Sequence, residues 1–396
     1  MRSFPVVVRQ KKSVGLLACG LGMMALGAGF GWAQETMVDY ALTAPLVVEG
    51  KNGVVVERLR FRRRLPPGEA AVQIRNSQNV VLRACAFSGI GAAILVEASR
   101  EVRVEDCAFI DLWDPGVAGL QPRIAVEVRN SQQVSVSDSL FEFVACGLYA
   151  YQSQGVVFMS NTVMNILGPF PRGQAVQFNG VSGPGNRIAG NFVRNEAGVS
   201  QPQDCVNLFQ SSGTAESPIL VEENYLAGDP VQGSQGKSSS GSGIMAGDGG
   251  GGFQIIRNNR LDSPGQVGIG VASGREIQIC GNTVRGVKSD VANVGIAVWN
   301  QYRAPGGPVV VVSNVVGWTD RNGKPNGIWV GKAKYGPLYE FSEIRASDNE
   351  IRFPESIQVE PEYVPASWTM VEGVKYSRQL RQARGDLQKL FEPIQD

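Results

Sequence analysis

One short pattern recurs along this chain and limits what it can fold into. Val-Leu-Arg-Ala-Cys85-Ala-Phe and Val-Glu-Asp-Cys107-Ala-Phe share an ending with Val-Ser-Asp-Ser139-Leu-Phe and Phe-Met-Ser-Asn161-Thr-Val. The register continues through Asn191, Asn224, Asn259, Asn282, Asn314 and Asn349, and a weaker first member ends at Leu59. Steps between these markers run from 22 to 35 residues and average 29. A fixed internal period of that size is the signature of a solenoid, a propeller or an array. Each unit alternates apolar and polar residues with period two and is bounded by Gly, Asn, Asp or Ser, which is strand and turn chemistry.

The period then selects among architectures. No helix-length periodic segment separates the strands, which a doubly wound fold or a TIM barrel requires. A leucine ladder is absent, and propeller blades need about 40 residues each. What remains is an all-β chain, a right-handed parallel β-helix of about eleven coils, roughly 50 Å long at a strand spacing of about 4.8 Å. In that geometry the marker points inward, so Asn161 to Asn349 form an interior amide ladder that satisfies the turn backbone. Cys85 and Cys107 fill the same rung one coil apart and read as free, buried apolar fillers rather than a disulfide.

The ends of the chain read differently. Arg9, Lys11 and Lys12 precede an uncharged run over 13–34 that closes on Gly31-Trp32-Ala33, the small-residue pattern of a signal peptide cleaved before Gln34. An uncleaved anchor and lipoprotein processing at Cys19 are the competing readings. The domain organisation is therefore a leader over 1–33, a β-helix domain over 34–365 with its N-terminal cap at 36–53, and a C-terminal cap over 366–396. That cap carries an amphipathic helix at 377–391, with Leu380, Ala383, Leu387, Leu390 and Phe391 at helical spacing. Export implies a periplasmic or secreted protein, free of the membrane after cleavage. Cleavage leaves 33 basic against 36 acidic residues, without the electrostatic footprint of a nucleic-acid partner. The protein is expected to act as a monomer.

Chemistry is constrained by an absence. The chain contains no histidine, which excludes Ser-His-Asp and Cys-His catalysis and imidazole metal sites. A second strand of each unit carries inward Val96, Val128, Ala150, Phe178, Leu208, Ala246, Val271, Val298 and Val330, so its flanking residues face outward. One outward row runs through Glu127, Tyr149, Gln177, Asn207 and Trp329. The other runs through Arg129, Tyr151, Asn179, Phe209, Gly247 and Trp299. Exposed rings among amides suit the apolar faces of sugars and their hydroxyls. The alternative is that long loops fold over this face as a second small core.

Asp204 and Asp248 fall in adjacent coils near the same face, at different offsets along it. Paired carboxylates serve glycoside hydrolysis, whereas β-elimination from a uronic acid needs a base and a cation. Arg129, Tyr149, Tyr151 and Lys237 are candidates for the latter, as is Ca²⁺ held by Asp204 and Asp248. Three look-alikes are set aside. Residues 236–238 lack the first glycine of a P-loop, 268–274 have the wrong dinucleotide spacing, and the Gly-Asp-Gly-Gly at 247–250 occurs once, where β-rolls need several.

The Asn-ended repeat resembles that of the pectate-lyase-like superfamily of right-handed parallel β-helix proteins, over roughly residues 54–352. Residues 204–214 and 243–252 look similar to segments of exported bacterial members. The resemblance implies a polysaccharide ligand and lyase, hydrolase or epimerase chemistry, although some members are not enzymes. It lacks the Gly-His-Gly of polygalacturonase-like hydrolases and the Asp-Pro-His-Asp of mannuronan epimerases. Phage tailspikes share the fold, but an export signal argues against one. The expectation is an exported polysaccharide lyase acting on an acidic glycan, with a hydrolase as second choice. Asp204, Asp248, Arg129 and Tyr151 would be catalytic, and Glu127, Tyr149, Gln177, Asn179, Asn207, Phe209, Trp299 and Trp329 would bind substrate. The alternative is a non-catalytic scaffold that binds carbohydrate or envelope material.

Overall fold

The computed structural model describes residues 41–361, apart from 63–64, 66–68, 90, 113–122, 169–171, 197–199, 201 and 229–240, together with the strand Val6–Val8. The expected leader, other than that strand, and the expected C-terminal helix lie outside the described residues. Val6–Val8 runs parallel to Asn52–Glu57.

Short strands separated by tight turns wind into a right-handed parallel β-helix, the hand that parallel crossovers adopt. Each coil contributes one strand to each of three rows. The first row runs from Leu46–Glu49 to Ile328–Val330, the second from Asn52–Glu57 to Ile344–Ser347, and the third from Ala41–Leu42 to Glu350–Ile351. The third row is a sheet of 12 strands, close to the eleven coils expected. Two long strands, Asp204–Ser212 and Ser242–Arg257, continue round the corner and join the first two rows into one sheet. Segment 36–53, expected as a cap, already supplies Leu46–Glu49 to the first coil.

The turn before the third row explains the marker. The residue ahead of it takes a left-handed conformation, φ 54° at Asn258 and 62° at Gly190, which turns the chain and aims the next side chain inward. Stacking then puts identical residues in contact. The Oδ1 of Asn224 accepts from the backbone N–H and the Nδ2 of Asn191, at 3.1 and 2.8 Å, while its own Nδ2 donates to the Ile188 carbonyl at 3.0 Å. The same three bonds recur at Asn259, Asn282 and Asn314. Cys85 and Cys107 occupy this position in earlier coils, buried and without a disulfide, each thiol lying over the carbonyl two residues back.

A second ladder, unread in the sequence, lies at the turn between the first and second rows. The Oγ of Ser99 accepts from the Ser77 N–H, that of Ser131 from Ser99, and that of Ser153 from Ser131, each at 3.1 Å. Inside the third row Phe61, Phe87, Phe109 and Phe141 stack with centroids 5.0, 4.9 and 4.7 Å apart, the spacing of successive coils. A solenoid of this kind has a continuous interior and no cleft within it, so a site must lie on an outer face.

Candidate functional site

The register of the first row puts the outward residues where alternation placed most of them. Glu127, Tyr149, Gln177, Asn207 and Met245 are cross-strand neighbours in succession, and Trp329 continues the row beside Ala297. In the other row Arg129 adjoins Tyr151, Tyr151 adjoins Asn179, and Asn179 adjoins Phe209. One step departs from strict alternation. Phe209 pairs with Asp248 rather than Gly247, because a bulge inserts one residue after Ala246.

The bulge has identifiable supports. Gly247 adopts φ 58°, and a Cβ there would lie 2.0 Å from the Ser273 carbonyl oxygen, so only glycine fits. Its N–H donates to Oε1 of fully buried Gln254 at 2.9 Å, whose Nε2 donates onward to the Ser211 carbonyl at 2.8 Å. The consequence is that Asp248 swings into the outward row beside Asn207.

There the two carboxylates meet. Nδ2 of Asn207 donates to Oδ2 of Asp204 at 3.0 Å and to Oδ2 of Asp248 at 2.9 Å. Those two oxygens therefore lie no farther apart than the sum of the two bonds, about 5.9 Å. The Tyr302 hydroxyl donates to Oδ1 of Asp248 at 2.5 Å. Tyr302 arrives on a loop held by Asn300, whose Oδ1 accepts its N–H at 2.9 Å and whose Nδ2 donates to the Ala304 and Tyr339 carbonyls.

Electrostatics separates the roles of these groups. Asp204 is 7% exposed, and burial first, then the charge of Asp248, pushes its carboxyl up to about 7 against the pull of the Asn207 hydrogen bond. Burial and the bond to Asp248 raise the Tyr302 phenol, which keeps it a donor. Asn207 is 4% exposed, and its Oδ1 finds no partner among the described residues.

The other candidates spread along the face. Arg129 lies three coils from Phe209, roughly 14 Å away at parallel-strand spacing. Its guanidinium is already bonded to Glu127 at 2.7 Å, which raises its pKa. Tyr149 is 6% exposed rather than open to solvent. Arg172, from the loop before Val176–Asn179, lies across its ring at 3.9 Å and reaches Oε1 of Gln177 at 3.4 Å. Asn179 donates to the Tyr149 hydroxyl at 2.9 Å. Tyr151, Phe209 and Trp299 are half-buried, and Trp329 is 42% exposed, with its ring edge-on to Trp299 at 5.9 Å. The face is thus covered over Tyr149 and Gln177 and open at the tryptophans. Lys237 lies outside the described residues.

Sequence reasoning missed Tyr302 and Arg172. Both sit in irregular connections, where period and register say nothing. Asp204 and Asp248, the expected Ca²⁺ ligands, are instead bridged by the Asn207 amide nitrogen. Among the described residues no three Cys, Asp or Glu gather as a metal site, and no helix is long and apolar enough to cross a membrane.

Fold and site together define a parallel β-helix with an elaborated face that carries a carboxylate pair, buried Asp204 beside half-buried Asp248. A family model described as periplasmic copper-binding protein (NosD) matches residues 50–310, and the chain belongs to that family. The description places the family in the periplasm, in agreement with the expectation of export. No curated protein matches the sequence. Among solved structures the chain is similar to the surface adhesin PfbA of Streptococcus pneumoniae, at 14% identity and TM-score 0.46, over 72% of each chain. It is also similar to DFA-IIIase of Arthrobacter chlorophenolicus A6 without its lid, at 11% identity and TM-score 0.48, over 80% of this chain and 86% of that one. A third likeness is to the tailspike of the E. coli bacteriophage HK620, at 13% identity and TM-score 0.40, over 71% and 63%.

The donors of this chain do not match the copper in the family description. There is no imidazole in the chain. Met159, Met164 and Met245 stand on three different rows. Cys146 and Cys205 are buried and hold their protons, with burial pushing both thiols up to about 12. Cys85 and Cys107 adjoin, but inside the solenoid, where two sealed donors have no entry path. These residues do not fit a copper centre.

Proposed function

We propose that this is an exported glycan-active protein that lays a polysaccharide along the first row and hydrolyses a glycosidic bond at Asp204 and Asp248. The observation that carries the reading is the single Asn207 amide nitrogen bonded to both carboxylates. Their limiting separation is compatible with the roughly 5 to 5.5 Å of retaining glycosidases and falls short of the wider inverting spacing. Asp204, protonated to about pH 7, gives its proton to the leaving oxygen as the bond to the anomeric carbon breaks. Asp248, oriented by Tyr302, takes up that carbon. Water deprotonated by Asp204 then releases the sugar and restores both groups. Trp299 and Trp329 supply a stacking shelf at the open end.

A second reading has its own observation. Arg172, lying across Tyr149 and bonded to Gln177, suits the carboxylate of a uronic acid and hence β-elimination. A third reading, a binding scaffold without catalysis, draws on the burial of Asp204. Incubation with a glycan panel tests all three, reading new reducing ends, the ultraviolet absorbance of unsaturated uronate, and binding. Hydrolysis is expected, lost in Asp204→Asn and Asp248→Asn with binding kept. Unsaturated product lost in Arg172→Ala but retained in Asp204→Asn replaces hydrolysis with elimination. Binding without product, weakened by Trp299→Ala, retires both.

A further inference from the structure

The corner between the second and third rows carries a notch that the winding of the chain does not require. It encloses about 330 Å³, near the lower end of the range for small-ligand pockets, and spans four successive coils at Ser160, Gly190, Glu223 and Asn258. These residues form the turn line ahead of the asparagine ladder, and all four are left-handed, with φ between 54° and 62°. Asp106 and Asp138 hold the same conformation in earlier coils, so this turn accepts a side chain. Gly281, farther along the line, has a packing reason, since a Cβ there would lie 2.6 Å from Oδ1 of Asn258. Gly190 has none, because the nearest atom to its Cβ position is Oγ of Ser160 at 3.9 Å. Glycine beside a small serine keeps the notch open.

Its two sides are charged and held in place. On the second row, Nε of Arg187 donates to Oε1 of Glu222 at 2.6 Å. Glu222 is buried and also accepts from Arg257 at 2.7 Å, so its charge is shared between two guanidiniums. On the third row, Arg260 donates to the Glu360 carbonyl at 3.0 Å. Tyr225, its cross-strand neighbour, is fixed by stacking on Phe192 at 5.1 Å. Burial, then the charges of Asp262 and Glu360, raise the Tyr225 phenol, so it stays protonated and can donate. The lining therefore holds two guanidiniums and one carboxylate, Glu223, with Ser160, Asn258 and the phenol as groups that bond hydroxyls.

We propose that this notch binds the carboxylate of a sugar acid, as a second site on the corner that does not border the first row. The surplus positive charge selects an anionic group, and a guanidinium bonds a carboxylate through two parallel N–H groups. The neutral and acidic polar groups around it take the hydroxyls that a bare anion lacks. None of the lining residues belongs to the Asn207 cluster, so the notch binds whether or not Asp204 and Asp248 perform catalysis. With a glycan on the first row, it anchors an acidic polymer away from the reacting bond.

Calorimetric titration of the full-length protein with glucuronate, glucose and inorganic sulfate tests this. Glucuronate is expected to bind, with glucose and sulfate each weaker by about tenfold or more, since one lacks the charge and the other the hydroxyls. Gly190→Asn fills the notch with a residue that the same turn already holds at Asn258, and should weaken glucuronate by about tenfold or more at an unchanged melting temperature. Arg260→Gln, which leaves the Glu222 pairs intact, should weaken it likewise and decides the matter if Gly190→Asn unfolds. Asp204→Asn and Trp299→Ala should leave glucuronate binding unchanged, whatever they do to turnover. Glucuronate that does not bind, or that binds both notch variants as it binds the unaltered protein, would overturn the proposal. Loss of binding in Trp299→Ala alone would put the sugar acid on the first row and overturn it equally. Sulfate held as tightly as glucuronate would reduce the notch to a bare anion site, against the proposal.

Discussion

Asn224 and Asn207 are the same residue, equally buried, in neighbouring parts of one repeat, and they are held in opposite ways. Asn224 sits in a ladder where each amide atom has a partner supplied by the equivalent asparagine one coil away. Asn207 sits on the outer face, its donor shared by two carboxylates from different strands and its Oδ1 unpartnered among the described residues. Stacking identical coils satisfies polar groups by translation, so a buried amide outside that translation marks a place shaped by something other than folding. The ladder is thus structural, and the Asn207 cluster is where function is to be sought.

The largest effect should come from breaking the ladder. Asn224→Leu strips the acceptor from the Asn191 N–H and the donor from the Ile188 carbonyl, leaving two buried groups unpaired, and leaves the Asn191 Nδ2 with the Phe158 carbonyl alone. At 1 to 3 kcal/mol for each, a loss of about 5 kcal/mol is expected in chemical denaturation. Unchanged stability would remove the structural half of the contrast. Phe109→Ala, which opens the aromatic stack between Phe87 and Phe141, should cost somewhat less, about 4 kcal/mol, read in the same way.

A third prediction concerns pH and the other side of the contrast. Asp204 titrates near 3.8 when unfolded and about 7 when folded. Between those values the native state holds a proton that the unfolded chain has lost, so stability falls as pH rises and levels off above about 7. The decline should be roughly 4 kcal/mol across that window. Asp204→Asn should flatten this part of the curve and be relatively stabilising at pH 8. Parallel pH profiles for the two proteins would show that Asp204 is not held protonated.

Legibility followed translation. Marker spacing gave the coils, the inward line and most of the outward rows, because a parallel in-register stack repeats each decision at every turn. The Ser77, Ser99, Ser131 and Ser153 ladder obeys the same rule, and its signal lay in the residue ahead of each serine, Asn or Gln at three of the four. Where translation lapses, reading lapsed with it. Alternation assigned Gly247 to the outward row, and one bulge residue handed the place to Asp248. Tyr302 reaches the pair from a loop two coils farther on. Tyr149 is buried because Arg172 crosses it from a connection with no period, so a ring expected in the open lies under a guanidinium.

The smallest stability effect is the most informative. Asn207→Ala removes a buried amide, as Asn224→Leu does, yet it should cost only about 1 kcal/mol, because the burden of one unpaired oxygen is already present and leaves with the side chain. Its effect belongs instead to the carboxylates. Without the shared N–H, Asp204 loses the hydrogen bond that holds its pKa down and still faces Asp248, so its titration should move above 7 and carry the alkaline limb of any activity profile with it. Stability and pH profile are therefore read on one variant. A small loss with an upward shift places Asn207 in the site as the group that sets the pair. A loss as large as that of Asn224→Leu, with the titration unmoved, would make it one more structural amide and dissolve the difference between the two asparagines.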